Sequence, residues 1–266
     1  MLVRFYIFLV KNVKVFLKKI VNSCKYLKKI PSIFIKIIKK NGNEFSILGI
    51  KIKLAKYGKG TILFFVGLFF VSLLALGIGA ITTTIFFLLL ITLYFFRDSD
   101  RVLPNQKNIV ISPCDGLIIG IKPSLLPEEL GKKDKSEYTK ISVFMNITDL
   151  HVQRVPVDCK VKQIEYVKGA FINASLDKAS KDNERNIVLF ERENGDNICV
   201  VQIAGFVARR IVCDLMKDEI CKIGERYGMI KFGSRIEVYV PKSYKIEVLE
   251  GQRAVCGETI FARFEK

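Results

Sequence analysis

The amino-acid sequence predicts a mainly β (α+β) protein: a β-sandwich- or barrel-like soluble domain preceded by an apolar helical hairpin and a basic amphipathic helical arm. Three observations predict it. Residues 1–60 carry 15 Lys and Arg against one acid, Glu44, and so hold +14 of the net charge of +17. Thr61–Phe96 then runs for 36 residues without a charged side chain. Beyond it, short β-branched runs alternate with turn residues.

The arm is residues 1–57. Lys11, Lys14, Lys18, Lys25 and Lys28 recur at three, four and seven residues, which aligns them along one helical stripe. Phe5, Leu9, Val13, Phe16, Ile20 and Val21 supply an apolar face. Pro31 ends or kinks that helix, a second basic apolar piece follows at Ser32–Lys40, and Asn41-Gly42-Asn43 reads as a turn. Such a segment suits a membrane interface, where each Lys near an anionic surface contributes about 1 kcal/mol.

The hairpin is residues 58–97. As one helix the uncharged run would extend about 54 Å, well past a hydrocarbon core of about 30 Å. Its middle, Gly77-Ile78-Gly79-Ala80-Ile81-Thr82-Thr83-Thr84, is poor helix sequence. Two short helices of about 24 Å or less each are therefore expected, marginal for a full crossing. Both flanks are basic: Lys51, Lys53, Lys56 and Lys59 before, Arg97 and Arg101 after. That charge pattern places both ends on the cytoplasmic side of the cell (inner) membrane.

Residues 98–266 form the soluble domain. Strands are expected at Asn108–Ile111, Leu117–Ile121, Lys140–Asn146, Lys160–Tyr166, Asn186–Glu191, Asn197–Ile203, Arg235–Tyr239 and Lys245–Val248. Helical candidates are few: Leu125–Leu130, and Arg209–Asp214 leading toward Asp218–Lys222. Two Gly-containing turn segments, Ser112–Gly116 and Glu250–Glu258, are distantly alike, a hint of a lipoyl-carrier-like barrel.

Composition excludes several chemistries. The seven Cys are odd in number and none has C-x-x-C spacing, which argues against a disulfide framework or a structural zinc site. Free thiols in a reducing compartment fit better. A single His, His151, excludes a polyhistidine metal centre, and no metal is expected. A nucleic-acid role for the basic arm is disfavoured, because its Lys are interleaved with apolar residues and lead into the hairpin.

Four polar stretches stand out: Ser112-Pro113-Cys114-Asp115-Gly116, Asp149-Leu150-His151-Val152-Gln153-Arg154-Val155-Pro156, Asn183-Glu184-Arg185-Asn186 and Lys231-Phe232-Gly233-Ser234-Arg235. Singly, each reads as a turn or a satisfied core polar group. Together with their neighbours they resemble the short, bacterial-type phosphatidylserine decarboxylases. Phe95-Phe96-Arg97-Asp98 is similar to that family's Phe-Phe-Arg-Asp-Pro opening, and Ser112–Gly116 to its Ser-Pro-Ala-Asp-Gly. Ser142–Met145 with Asp149–Val152 resembles its histidine block, and Gln202–Gly205 with Ala208–Val212 another block. Gly224–Arg235 resembles the processing block. The likeness covers about residues 55–266. Ser99 stands where the family usually has Pro, and Cys114 where it has Ala.

The resemblance implies phosphatidylserine decarboxylated to phosphatidylethanolamine and CO2 on a self-made pyruvoyl group, in phospholipid biosynthesis. Loss of CO2 needs an electron sink, which a pyruvoyl ketone supplies through a Schiff base with the substrate amine. The resemblance implies that Ser234 attacks the Gly233 carbonyl, cutting the chain into 1–233 (beta chain) and 234–266 (alpha chain), held as a heterodimer. The pyruvoyl group then derives from Ser234. Gly233 lets the backbone bend around the attack. His151 is the available imidazole to activate Ser234, and the family match assigns Asp115 to orient it. His151 is also the expected acid for returning a proton to the α-carbon. Arg209, Arg210 and Arg235 are candidates to meet the lipid phosphate or carboxylate. Phosphatidylserine and anionic membrane lipids are the expected partners. The alternatives are a pyruvoyl decarboxylase of a related serine phospholipid and a non-enzymatic, membrane-anchored β domain that binds a partner.

Overall fold

The computed structural model describes residues 44–47, 50–131, 136–172, 179–206, 210–231 and 234–264. The arm helix before Pro31 and the piece at Ser32–Lys40 lie outside them. The chain divides into residues 1–54 and 55–266. In the first unit, β1 (Glu44–Ile47) and β2 (Ile50–Leu54) pair antiparallel, with Ile47 opposite Ile50. The helical reading of the arm fails over this stretch. Ile50-Lys51-Ile52-Lys53-Leu54 alternates with period two, which suits a strand and not a helix.

The second unit opens with the expected helical hairpin, α1 (Lys59–Leu76) and α2 (Ala80–Phe95). Gly77, at φ +66°, ends α1 in a conformation that a side chain would resist. The helices run about 27 Å and about 24 Å at 1.5 Å per residue. Phe69 of α1 and Phe86 of α2 stack at 5.7 Å. The rest of the hairpin surface is apolar and open: Phe64, Val71, Leu74, Ile81, Phe87 and Ile91 are each more than half exposed. Its hydroxyls bond inward, Thr82 Oγ1 donating to Gly77 O and Thr92 Oγ1 to Leu88 O, both at 2.8 Å. Lys56–Leu76 is long and apolar enough to cross a membrane by length and composition.

The β domain follows: β3 (Arg97–Asp98), β4 (Ile109–Ile111), β5 (Gly116–Ser124), β6 (Tyr138–Met145), β7 (Val152–Arg154), β8 (Cys159–Val167) and one helical turn α3 (Ala179–Asp182). Then come β9 (Arg185–Glu191), β10 (Asn197–Ala204), β11 (Ile211–Cys213), β12 (Ile220–Cys221), β13 (Arg226–Ile230) and β14 (Ser234–Pro241). β15 (Tyr244–Ile246), β16 (Arg253–Ala254) and β17 (Ile260–Phe264) complete it. All eight strands expected from the sequence form.

An eight-stranded sheet runs β12-β8-β9-β10-β14-β6-β5-β16, and two three-stranded sheets, β11-β13-β7 and β15-β17-β4, accompany it. All these pairings are antiparallel. Ile141, Val143, Ile236 and Val238 of the large sheet share one core with Val110, Ile211, Ile230 and Phe261 of the small ones. The arrangement is sandwich-like, and each fully buried aliphatic contributes about 1.5–3 kcal/mol. The two similar turn segments meet: Gly257 N–H donates to Ser112 O at 2.8 Å, and Ala254 pairs with Gly116.

The expected helices are corrected. Ile211–Cys213 and Ile220–Cys221 are strands, because β-branched Ile211, Val212 and Ile220 favour the pleat. Leu125–Leu130 contributes a single 3-10 turn, Glu128–Leu130. Pro127 stands just before it and Gly131 just after.

Candidate active site

β14 lies in the middle of the large sheet, and its first residue is Ser234. Met145 at the end of β6 pairs with it on one side, and Ala204 at the end of β10 on the other. Alternation puts Ser234 on the face of Ile236 and Val238, toward the main core, and Arg235, Glu237 and Tyr239 on the other face. Ser234 is fully buried, and its Oγ lies 3.3 Å from Met145 Sδ, a weak acceptor. Asn183 pins the neighbouring edge: its Nδ2 donates to Ala204 O at 2.6 Å and to Ile172 O at 2.8 Å.

His151 reaches the same region by two registers. It precedes Val152, which pairs with Met229 on the strand leading toward residue 234. It follows Met145, the partner of Ser234, by one turn. The ring is fully buried and packs on Phe95, with centroids 4.5 Å apart. Nδ1 lies 2.9 Å from Asp149 O. A carbonyl only accepts, so Nδ1 carries the hydrogen and Nε2 keeps its lone pair. Among the described residues Nε2 is buried without a partner. Burial lowers the pKa to about 4, opposed by the Asp149 carbonyl and charge and assisted by Arg97. The ring is therefore neutral at pH 7.

Asp115 sits one segment away. Its carboxylate accepts from Arg101 at 2.9 and 2.7 Å and from Cys256 N–H at 2.7 Å. Cys256 Sγ in turn lies 3.3 Å from Pro113 O and 3.7 Å from Val152 O, beside His151. Asp115 and His151 thus occupy adjoining segments bridged by Cys256, while the imidazole donates its Nδ1 hydrogen to the Asp149 carbonyl and not to Asp115. The Asp149 carboxylate accepts from Asn146 N–H at 2.8 Å and pairs with Arg253. Both acids therefore hold residues of the 253–256 segment, β16 and the turn after it, which lies beyond Ser234 in the chain.

The phosphatidylserine decarboxylase family profile matches residues 88–262. The chain belongs to the phosphatidylserine decarboxylase family. It is 51% identical over 172 residues to the phosphatidylserine decarboxylase proenzyme of Rickettsia typhi, spanning 65% of this chain and 74% of that protein. It is 52% identical over the same length to that of Rickettsia bellii strain OSU 85-389, with the same coverage. The family match begins inside α2, so residues 1–87 lie outside it.

As a member of the decarboxylase family, the chain locates the remaining predicted residues as follows. Gly233 and Arg209 lie outside the described residues. Arg210 is exposed. Arg235 is 2% exposed on the sheet face opposite Ser234, where it pairs with Glu237 at 2.8 Å and donates to Ser142 Oγ at 3.0 Å. That placement makes it part of a buried polar network with Tyr239, which donates to Glu237 at 2.8 Å. Sequence reasoning gave no role to Asp149, Phe95 or Lys231. The Asp-x-His spacing was a usable signal for the first, since a turn two residues wide lets a carbonyl meet its neighbour's ring. Among the described residues no cluster of three His, Cys, Asp or Glu could hold a metal ion.

Proposed function

We propose that this chain is a membrane-associated phosphatidylserine decarboxylase that cuts itself between Gly233 and Ser234. The reaction is decarboxylation of phosphatidylserine to phosphatidylethanolamine and CO2. The observation that carries the cleavage is the pair of buried, under-used polar groups: the Ser234 hydroxyl on a thioether, and the unpartnered Nε2 of a neutral His151. Both are what a nucleophile and its base require before they meet.

In the proposed maturation, His151 Nε2 takes the Ser234 proton as Oγ bonds to the Gly233 carbonyl carbon. The C–N bond breaks and an ester replaces the peptide. Loss of the α-proton of residue 234 to a base then breaks its Cβ–O bond, which leaves Gly233 as a carboxylate and residue 234 as dehydroalanine, and water hydrolyses the imine tautomer to the ketone and ammonia. A pyruvoyl group at this position supplies the electron sink for the carbanion left by CO2. A small buried side chain flanked by Met145 and Ala204 fits such a group, which needs no counter-charge. With its pKa held near 4, His151 is unprotonated at pH 7 and so free to take the Ser234 proton. As the donor of the returning proton it would be protonated only transiently. Asp115 and Asp149 act as positioning residues, through the Cys256 and Arg253 contacts and the Nδ1 hydrogen bond. We place the hairpin in the cell membrane with the β domain on the cytoplasmic side, supported by its exposed apolar surface and basic flanks.

Intact mass after gentle purification tests the cleavage. Pieces of 233 and 33 residues are expected, the smaller lacking ammonia. Ser234→Ala should leave one chain and no CO2 release. Cleavage at the same bond in Ser234→Ala would sink the scheme.

A further inference from the structure

Lys231 and Arg210 stand side by side at the ends of β13 and β11. Ile230 pairs with Ile211, and the Lys231 N–H donates to Arg210 O at 3.1 Å. Lys231 is three residues before Ser234. Its Nζ lies 5.5 Å above the centre of the Phe96 ring, at the foot of α2, where the apolar hairpin joins the β domain. The pair therefore sits between the proposed bond of cleavage and the proposed membrane surface.

The charges there are unbalanced. Arg101 meets Asp115, Arg185 meets Glu129, Arg226 meets Asp98 and Arg235 meets Glu237. Among the described residues, no carboxylate stands at ion-pair distance from Lys231 or Arg210. Lys231 is partly buried, and burial together with the Arg210 charge pushes its pKa down. A half-desolvated ammonium beside a guanidinium is unfavourable alone and becomes favourable when an anion joins them. The Phe96 ring receives one side of the ammonium and leaves its remaining hydrogens for that anion.

Resting on the proposed reaction, we propose that Lys231 and Arg210 hold the phosphodiester of the lipid substrate. The substrate also carries a carboxylate, but that group must depart as CO2. Two cations holding it would stabilise the ground state more than the transition state and slow the chemistry. The phosphate keeps its charge throughout, so holding it lowers KM without touching the chemical step.

The test uses the full chain in mixed micelles of non-ionic detergent and phosphatidylserine, with rates expressed per matured 33-residue chain counted by intact mass. Lys231→Gln and Arg210→Gln should each raise KM for phosphatidylserine about tenfold or more, as loss of a charge-assisted hydrogen bond predicts, with the loss falling on KM rather than kcat. Lys231→Arg should recover most of it. Phosphatidylethanolamine keeps the phosphate and lacks the carboxylate, so its inhibition should weaken in step. Unchanged KM in both Gln variants overturns the proposal. Raised KM with undiminished inhibition by phosphatidylethanolamine assigns the pair to the carboxylate and overturns it too. Absence of cleavage or of CO2 release in the unmodified chain would count instead against the underlying reaction.

Discussion

The acid sensitivity of the proposed self-cleavage offers the sharpest check on His151. A base works only while unprotonated, and burial holds this ring's pKa at about 4, against 6.5 for a free imidazole. At pH 5 a ring with the free value would be only about 3% neutral, whereas the buried ring is about 90% neutral. Cleavage at pH 5 should therefore keep nearly its pH 7 rate, a difference of about 30-fold between the two expectations. The sign follows from burial: charging the ring in an apolar site is penalised, so the neutral form persists to lower pH. Freshly translated precursor, jumped to pH values from 4 to 8 and followed by intact mass, gives the rate directly. A rate that falls tenfold per pH unit below 6.5 would refute the buried, neutral base.

Other consequences can be measured together. Asp115→Ala leaves the largely buried Arg101 with only Glu258, at 3.9 Å, and frees Cys256 N–H, so the precursor should lose about 2 kcal/mol in urea unfolding as well as cleaving slowly. If stability is unchanged, the Arg101 pairing is not what Asp115 contributes. Arg253→Gln removes the partner of Asp149 and should slow cleavage several-fold while leaving its pH profile in place, since the Nδ1 hydrogen bond uses the Asp149 backbone. A shifted profile would contradict that division. Gly116→Ala would drive a Cβ into Phe144 O at φ +154°, and should cost more than about 2 kcal/mol or prevent folding. Wild-type stability in that variant would show that the β5–β6 approach is looser than described.

Much of the fold could be read in advance because it rests on period. Alternation marked the eight principal strands, and a charge-free run broken at Gly77–Gly79 marked the hairpin. The errors came where local and tertiary signals part. Arg209–Asp214 offered mixed residues with no clear period, and pairing of Ile211–Cys213 with β13 decided for a strand. Ile50–Leu54 was absorbed into a basic arm by composition, though its alternation was visible. In the site, residue types were legible and partners were not. His151 and Ser234 could be named because one is the single histidine and the other follows Gly233 in a recognisable block. That the Nδ1 hydrogen bond goes to the Asp149 carbonyl, and that Arg235 faces away from Ser234, depends on which way each strand turns its side chains. A one-residue change of register would reverse it.

The contact between the hairpin and the proposed base gives the hairpin a role beyond the proposed anchoring. Phe95 is the last residue of α2, is 1% exposed, and packs against His151. Two residues on, Arg97 donates to Tyr94 O at 2.8 Å and Thr148 O at 2.6 Å, and its guanidinium lies 3.9 Å from the centre of the Tyr94 ring. Thr148 directly precedes Asp149, whose carbonyl orients the imidazole. The foot of α2 therefore fixes His151 from both sides, through a ring contact and through the turn that presents it. A tether needs no such contacts, because a flexible linker would keep the domain at the bilayer equally well. Burial by Phe95 contributes to the low pKa of His151, so the residue that ends the proposed membrane segment also keeps the proposed base neutral. A shift of α2 by one turn, about 5.4 Å, would withdraw Phe95 and expose the ring. The end of the hairpin and the readiness of His151 to accept a proton are thereby tied to the same few residues.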